Sequence, residues 1–326
     1  MKMLFALILM AMSQIVAADE RLPTPNPEDH AVVARWAELQ EAAWPLLTRN
    51  VELCPGYDGY LTGLYTFGAT PERPGLRVYQ VVSGSPAAQA GLQVGDRVLS
   101  YAGIETDQNK PDKAAAQFEK AREKASSSPA PFDIRYERDG QVSTAVVTPV
   151  AGCDVQLVYS GAPLPTMVKD NTIVLGNQID LYTTDAVSTR FYLARELATV
   201  FLKQREQTRK SASRFGLLAQ GVSMLTGHDA SAAGGLWARF RHGASQDLAA
   251  DQLGLYLAAR AGVDVSSAPA FWDAVFARRT PAPVAVGRLT GNAPPTPERV
   301  QAIRETTQEI LAKQASQAPL VPTPAS

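Results

Sequence analysis

Two cysteines, Cys54 and Cys153, flank a self-contained segment of about a hundred residues patterned as strands and turns, while the chain on either side is patterned mainly as helix. No other feature constrains the fold as much, because apolar side chains repeating every second residue and every 3.6 residues line different kinds of face. From Tyr57 to about Val150, strands are expected at Gly63 to Phe67, Leu76 to Val82, Arg97 to Tyr101, Phe132 to Arg138 and Ser143 to Val147. Asp139-Gly140 joins the last two as a hairpin, since a tight primed turn needs positive φ. One helix, Asp112 to Lys124, interrupts the strands and ends at Ser126-Ser127-Ser128-Pro129.

Ahead of this segment, Asp29 to Arg49 reads as an amphipathic helix with Val32, Val33, Trp36, Leu39, Ala43, Trp44 and Leu47 on its apolar stripe. Pro45 is expected to kink that helix or end its regular part. Behind the segment comes a short β region, clearest at Thr172 to Leu175. Helices follow at Val187 to Arg205, Phe215 to Leu225, Gln246 to Ala261, Phe271 to Arg278 and Thr296 to Lys313. Gln314 to Ser326, with three prolines and no periodicity, is expected to be disordered. The 326 residues suffice for two domains, and the expected fold class is α+β, multidomain.

With 45% apolar and 19% charged residues, the composition speaks against global disorder, and a net charge of −1 gives no electrostatic reason for a nucleic-acid partner. The first eighteen residues form an address: Lys2, an apolar run from Met3 to Val16, and small residues Val16-Ala17-Ala18 before Asp19. The run is short for a membrane span, so a cleaved secretory signal is expected. With no cysteine near the cleavage site and no later apolar span, an exported, soluble, periplasmic or secreted protein follows. An oxidising compartment favours joining Cys54 to Cys153, worth up to roughly 4–5 kcal/mol. Two buried free thiols are the alternative, because spacing does not say whether the pair meets in space.

The string Ser83-Gly84-Ser85-Pro86-Ala87-Ala88-Gln89-Ala90-Gly91-Leu92, then Val94-Gly95-Asp96-Arg97-Val98-Leu99 and Ala102-Gly103, has a local mechanism. Pro86 starts a short helix, Gly91 closes it, and Gly95-Asp96 turns the chain into an alternating strand. This string resembles the PDZ family, and the resemblance covers about Tyr57 to Val150. It implies a β-sandwich or barrel with two helices that binds extended peptides, often C-terminal ones, as an added strand, with the carboxylate held by backbone N–H groups. On this chain the resemblance puts the capturing turn at Tyr60-Leu61-Thr62-Gly63, the start of the edge strand at Leu64 and Tyr65, and the side-chain pocket at Ala115 and Phe118. The family's turn reads apolar-Gly-apolar, so Thr62 is an extra residue.

Further on, Ala194-Arg195-Glu196-Leu197-Ala198-Thr199 sits where a zinc peptidase would carry His-Glu-Leu-Ala-His, with two imidazoles one helical turn apart and a general base between them. Together with Ser245 to Gly254, Ala258 to Asp264 and Pro295 to Val300, it makes Asp154 to Lys313 similar to the HtpX-like, prenyl-protease-like zinc metallopeptidases. The resemblance places the two zinc histidines at Arg195 and Thr199, the general base at Glu196, the third ligand at Asp247 and a supporting carboxylate at Asp251. A guanidinium has no acceptor, and a catalytic zinc needs three protein ligands, so the expected metal is none. The three histidines, His30, His228 and His242, offer no i,i+4 pair; a site rebuilt from His228, His242 and Asp247 is set against these being solvated loop residues. An Arg195–Asp247/Asp251 ion-pair cluster is expected in the zinc's place, against Arg195 pointing into solvent. Thr183-Thr184-Asp185 and Ser188 read as helix capping.

The expected organisation is a signal peptide (1–18), an N-terminal helical segment (19–53), a PDZ domain (54–153), a degenerate metallopeptidase-like domain (154–313) and a disordered tail (314–326). The expected function is an exported protein without cofactor that binds peptides or C-termini in envelope protein quality control, with no nucleic acid and no membrane span after signal cleavage. Two other readings are an active zinc metalloendopeptidase with unorthodox ligands, and a structural scaffold whose edge at Gly63 to Phe67 is occluded.

Overall fold

Helix α1 (His30–Thr48) starts on Asp29, whose carboxylate accepts the Val32 N–H at 3.1 Å. Pro45 does not end it: the helix runs on to Thr48 and closes with the Arg49 N–H on the Pro45 carbonyl. The proline removes one amide donor, while Leu46 and Leu47 beyond it stay fully packed. The protein is described by a computed structural model over residues 29–54, 56–67, 75–108, 110–164, 166–169, 171–214, 246–278 and 297–321. The expected signal peptide, the helix at Phe215 to Leu225, and His228 and His242 lie outside these residues.

Beyond α1 the chain enters β1 (Asp58–Leu61) and leaves through β8 (Val150–Cys153), which pair antiparallel with Asp58 opposite Cys153. Between them run β2 (Leu64–Phe67), β3 (Leu76–Val81), α2 (Pro86–Gln89), β4 (Arg97–Tyr101), β5 (Ile104–Glu105), α3 (Pro111–Ser126), β6 (Phe132–Arg138) and β7 (Gln141–Val147). These strands form one antiparallel sheet in the order β2-β3-β4-β6-β7, with β5 on β4. Instead of a sandwich or closed barrel, the sheet stays open with β2 and β7 as edges, and register shifts at Tyr65/Thr66 and Val98/Ser100 break its ladders. Asp139 and Gly140 both take positive φ and make the predicted hairpin. Leu64, Leu76, Val78, Leu92, Val98, Tyr101, Phe118 and Ile134 fill its core.

The rest forms a second body: a small sheet ordered β10 (Met167–Lys169), β11 (Thr172–Leu175), β9 (Gln156–Tyr159), then α4 (Ala186–Arg214), α5 (Gln246–Arg260), α6 (Ala268–Arg278) and α7 (Pro297–Ala315). Its core takes Trp36, Leu39 and Leu47 from α1 together with Leu157, Ile173, Leu197, Leu253, Trp272 and Ile303. Helix α1 and the described residues beyond Asp154 therefore share one core. The apolar stripe of α1 needs a partner, and it finds one in β9, where the Leu157 carbonyl accepts from Trp36 Nε1 (2.8 Å) and Gln40 Nε2 (3.1 Å). The strand-rich segment is an insertion between α1 and the remainder of that core. Cys54 and Cys153 close its neck with a fully buried disulfide, Cα–Cα 5.9 Å, so the free-thiol alternative falls away.

The tail does not become irregular at Gln314. Helix α7 continues to Ala315, the Ala318 N–H returns to the Lys313 carbonyl, and Leu320 and Val321 pack on the second core while the Lys313 ammonium donates to the Val321 carbonyl. Pro319 falls after the turn that follows the helix, where it costs no helical hydrogen bond.

Candidate functional site

Gly63 begins the site. It takes φ +71°, and a Cβ there would lie 2.3 Å from the Ser85 Cβ, so only glycine lets the turn press against the cap of α2. Its carbonyl accepts from Val82 N–H and the Thr62 carbonyl from Ala87 N–H, which fixes the turn against the start of α2. The amides of Thr62 and Gly63 make no hydrogen bond within the protein among the described residues. Both residues are buried, and buried N–H groups are rarely left without a partner. The extra Thr62 turns its hydroxyl inward: Oγ1 accepts the Leu64 N–H at 3.3 Å and lies 3.4 Å from the Tyr101 hydroxyl. Burial pushes the Tyr101 phenol up to about 12, partly countered by that hydroxyl.

Tyr60, Leu61, Gly63, Leu64, Tyr65 and Phe118, all read from the sequence as peptide-binding, line one hollow of about 210 Å³. Ala115 lies outside it, half-buried on α3; the helix wall is made by Phe118, Glu119 and Arg122. Leu64 points into the core of the inserted sheet, whereas Tyr65 packs with the second core beside Tyr79, as alternation along a strand requires. The opposite wall could not be read from the inserted segment at all: it comes from Trp36 and Leu47 of α1 and from Asp154 to Val158. Trp36 stacks on Tyr79 at 4.5 Å, and the Glu41 carboxylate accepts from Gln80 and from Ser83, joining α1 to the β3 face. Arg122 crosses the hollow's rim, donating from Nη1 to Asp154 (3.0 Å) and from Nε to Glu119 (3.0 Å). Burial alone lowers the pKa of this guanidinium, but the two carboxylates outweigh it and the net shift is upward.

The second constellation lies where α5 crosses α4. Asp247, Asp251 and Gly254 share one face of α5 at i, i+4 and i+7. A Cβ on Gly254 would sit 2.9 Å from the Arg195 Cα, so the missing side chain lets the two helices touch at Arg195. The Arg195 guanidinium then reaches three carboxylates: Nε to Asp251 at 2.9 Å, Nη1 to Glu196 at 2.8 Å and Nη2 to Asp247 at 2.7 Å. Burial opposes its charge, but Glu196, Asp251 and Asp247 outweigh that and raise its pKa. Sequence reasoning missed the fifth member, Arg299 on α7, which forks onto Asp251 at 2.6 and 3.0 Å. Thr199 takes no part: its hydroxyl bonds back to the Arg195 carbonyl at 3.2 Å. This donor set does not fit zinc, since a guanidinium stands among the carboxylates and both acidic side chains of α5 are already bonded to arginine. Asp185 and Ser188 are capping residues, the Asp185 carboxylate accepting from the Val187 and Ser188 amides at 2.8 Å and the Ser188 hydroxyl from the Asp185 amide.

No curated protein matches the chain. Among solved structures, the crystal structure of the HtrA3 PDZ domain bound to a phage-derived ligand (FGRWV) aligns over 29% of this chain and 88% of its own, with 18% identity and a TM-score of 0.23. Residues 77–120, which run from β3 through the Pro86 turn into α3 and supply one wall of the hollow, match the family model of the PDZ domain, so the inserted segment carries a PDZ domain.

Proposed function

We infer that the hollow receives the end of an extended peptide laid along β2, and that the protein acts by binding rather than by cleavage. One observation carries this reading: the Thr62 and Gly63 amides have no hydrogen-bond partner among the described residues and stand beside a sheet edge and a largely apolar hollow. Peptides added to a sheet edge take affinity from main-chain hydrogen bonds and selectivity from such pockets. The test passes a random heptapeptide library with free carboxy termini over the immobilised protein. Recovery of a sequence preference is expected; no retention of any peptide at micromolar concentration would reject the reading.

In the same proposal, α4 and α5 form a metallopeptidase-like frame whose metal position is filled by Arg195, and the chain is exported through its first eighteen residues. The Arg195 network supports the first part and the Lys2 to Ala18 pattern the second. Purified protein is expected to leave casein intact with or without chelator. One zinc per molecule, with cleavage lost in Glu196→Ala, would establish the peptidase reading instead. N-terminal sequencing of the exported protein is expected to begin at Asp19.

A further inference from the structure

The hollow holds a charge pair that an apolar peptide pocket does not need. Arg122 lines it together with Thr62 and Gly63, whose amides have no partner among the described residues, and two of its nitrogens are engaged, Nη1 by Asp154 and Nε by Glu119. Its Nη2 has no hydrogen-bond partner among the described residues and its side chain is about a quarter exposed, so it can still donate. Asp154 reaches this place by construction. It follows the second disulfide cysteine directly, its amide bonds the Tyr57 carbonyl, and its Cβ would lie 3.2 Å from a Cβ on Gly59 in β1. An aspartate on a segment of the second body is thus pinned into the peptide hollow of the inserted domain.

We propose that Arg122 is the specificity residue for a free C-terminal carboxylate, and that Asp154 is a resident competitor holding it until such a ligand arrives. This rests on the peptide-binding reading above and names the end group that the hollow selects. Glu119, Arg122 and Asp154 together carry one excess negative charge, so an incoming carboxylate is opposed until Asp154 gives up the guanidinium. The Thr62 and Gly63 amides then share the anion with Arg122. Leu64 cannot, because its amide is already taken by Thr62.

The experiment uses the full-length protein, its Asp154→Asn and Arg122→Gln variants, and the free-acid and amidated forms of the best peptide selected from the heptapeptide library on wild type and on Asp154→Asn. Asparagine is isosteric and keeps the Asp154 main-chain bonds. Fluorescence polarisation is expected to show Asp154→Asn binding the free acid about fivefold more tightly, the factor of a partly exposed ion pair worth roughly 1 kcal/mol, with the amide unchanged. Arg122→Gln is expected to bind acid and amide alike. Peptides retained only by Asp154→Asn would support the competitor still more strongly. Equal tightening of acid and amide would overturn it in favour of simple occlusion. Unchanged or weaker binding of the acid by Asp154→Asn would overturn it while leaving peptide binding intact. Failure of both proteins to retain any peptide would remove peptide binding itself.

Discussion

Replacing Arg195 by methionine removes a guanidinium that bonds three carboxylates at once, and the structure says where the loss falls. Asp251 keeps the two bonds from Arg299, and Asp247, with its side chain about one-third exposed, regains water. Glu196 is the member left buried with no other ion-pair partner among the described residues. Breaking a buried pair from one side costs about 3–5 kcal/mol, while the Asp247 contribution is expected to stay below about 1 kcal/mol. The double variant Arg195→Met/Glu196→Met removes both halves and is expected to recover to within about 1 kcal/mol of wild type, because an apolar replacement of a buried pair is near neutral. Urea unfolding followed by tryptophan fluorescence suits the question, since Trp36, Trp44, Trp237 and Trp272 all lie outside the inserted segment. A single variant within about 0.5 kcal/mol of wild type, or a double variant no more stable than the single, would refute the network as a structural unit.

Gly254→Ala gains about 1 kcal/mol of helix propensity but drives a methyl into the Arg195 backbone at 2.9 Å, so a lower melting temperature is expected; a rise would show that the helices do not touch there. Asp185→Ala is expected to cost about 1 kcal/mol at neutral pH through loss of the α4 cap. Bonds from the Ser188 and Val187 amides depress the Asp185 pKa, so its contribution is complete above the unfolded carboxylate value and lost as pH falls through the folded one; urea midpoints of variant and wild type should therefore converge in acid. Both half-cystines are fully buried, so mild reductant is expected to leave thiol titre at zero until denaturant is added; labelling of Cys54 or Cys153 in the native protein would contradict the closed neck.

Strand positions, the hairpin and the short Pro86 helix were legible because each depends on a few neighbouring residues: Gly91, Gly95 and Asp139-Gly140 leave the backbone little choice. The joint core was not legible. The α1 stripe shows that Trp36 and Leu47 are buried but not against what, and the answer lies more than a hundred residues on, at Leu157. The far wall of the peptide hollow was missed for the same reason. Helical spacing put Asp247 and Asp251 on one face, and only what the peptidase resemblance implied set Arg195 opposite them. Arg299 offered a weaker signal: it shares the face of Ala302, Ile303, Thr306 and Ile310, and a charge on a buried stripe asks for a partner. Ala115 shares the helix face of Phe118, Glu119 and Arg122 at i, i+3, i+4 and i+7, and it stands outside the hollow because it lies toward the start of α3, ahead of all three.

The insertion of one body into the other also orders events during synthesis. Every residue of the β2–β7 sheet has been made by Val147, so that unit can close while the ribosome is still translating. Helix α1, made earlier, has to wait: Trp36 can meet Tyr79 of β3, but most of the stripe gains its partners only when β9 and the later helices emerge. Until then an apolar stripe made before the whole inserted sheet is among the last surfaces to be covered, and it is there that a chaperone would find the nascent protein.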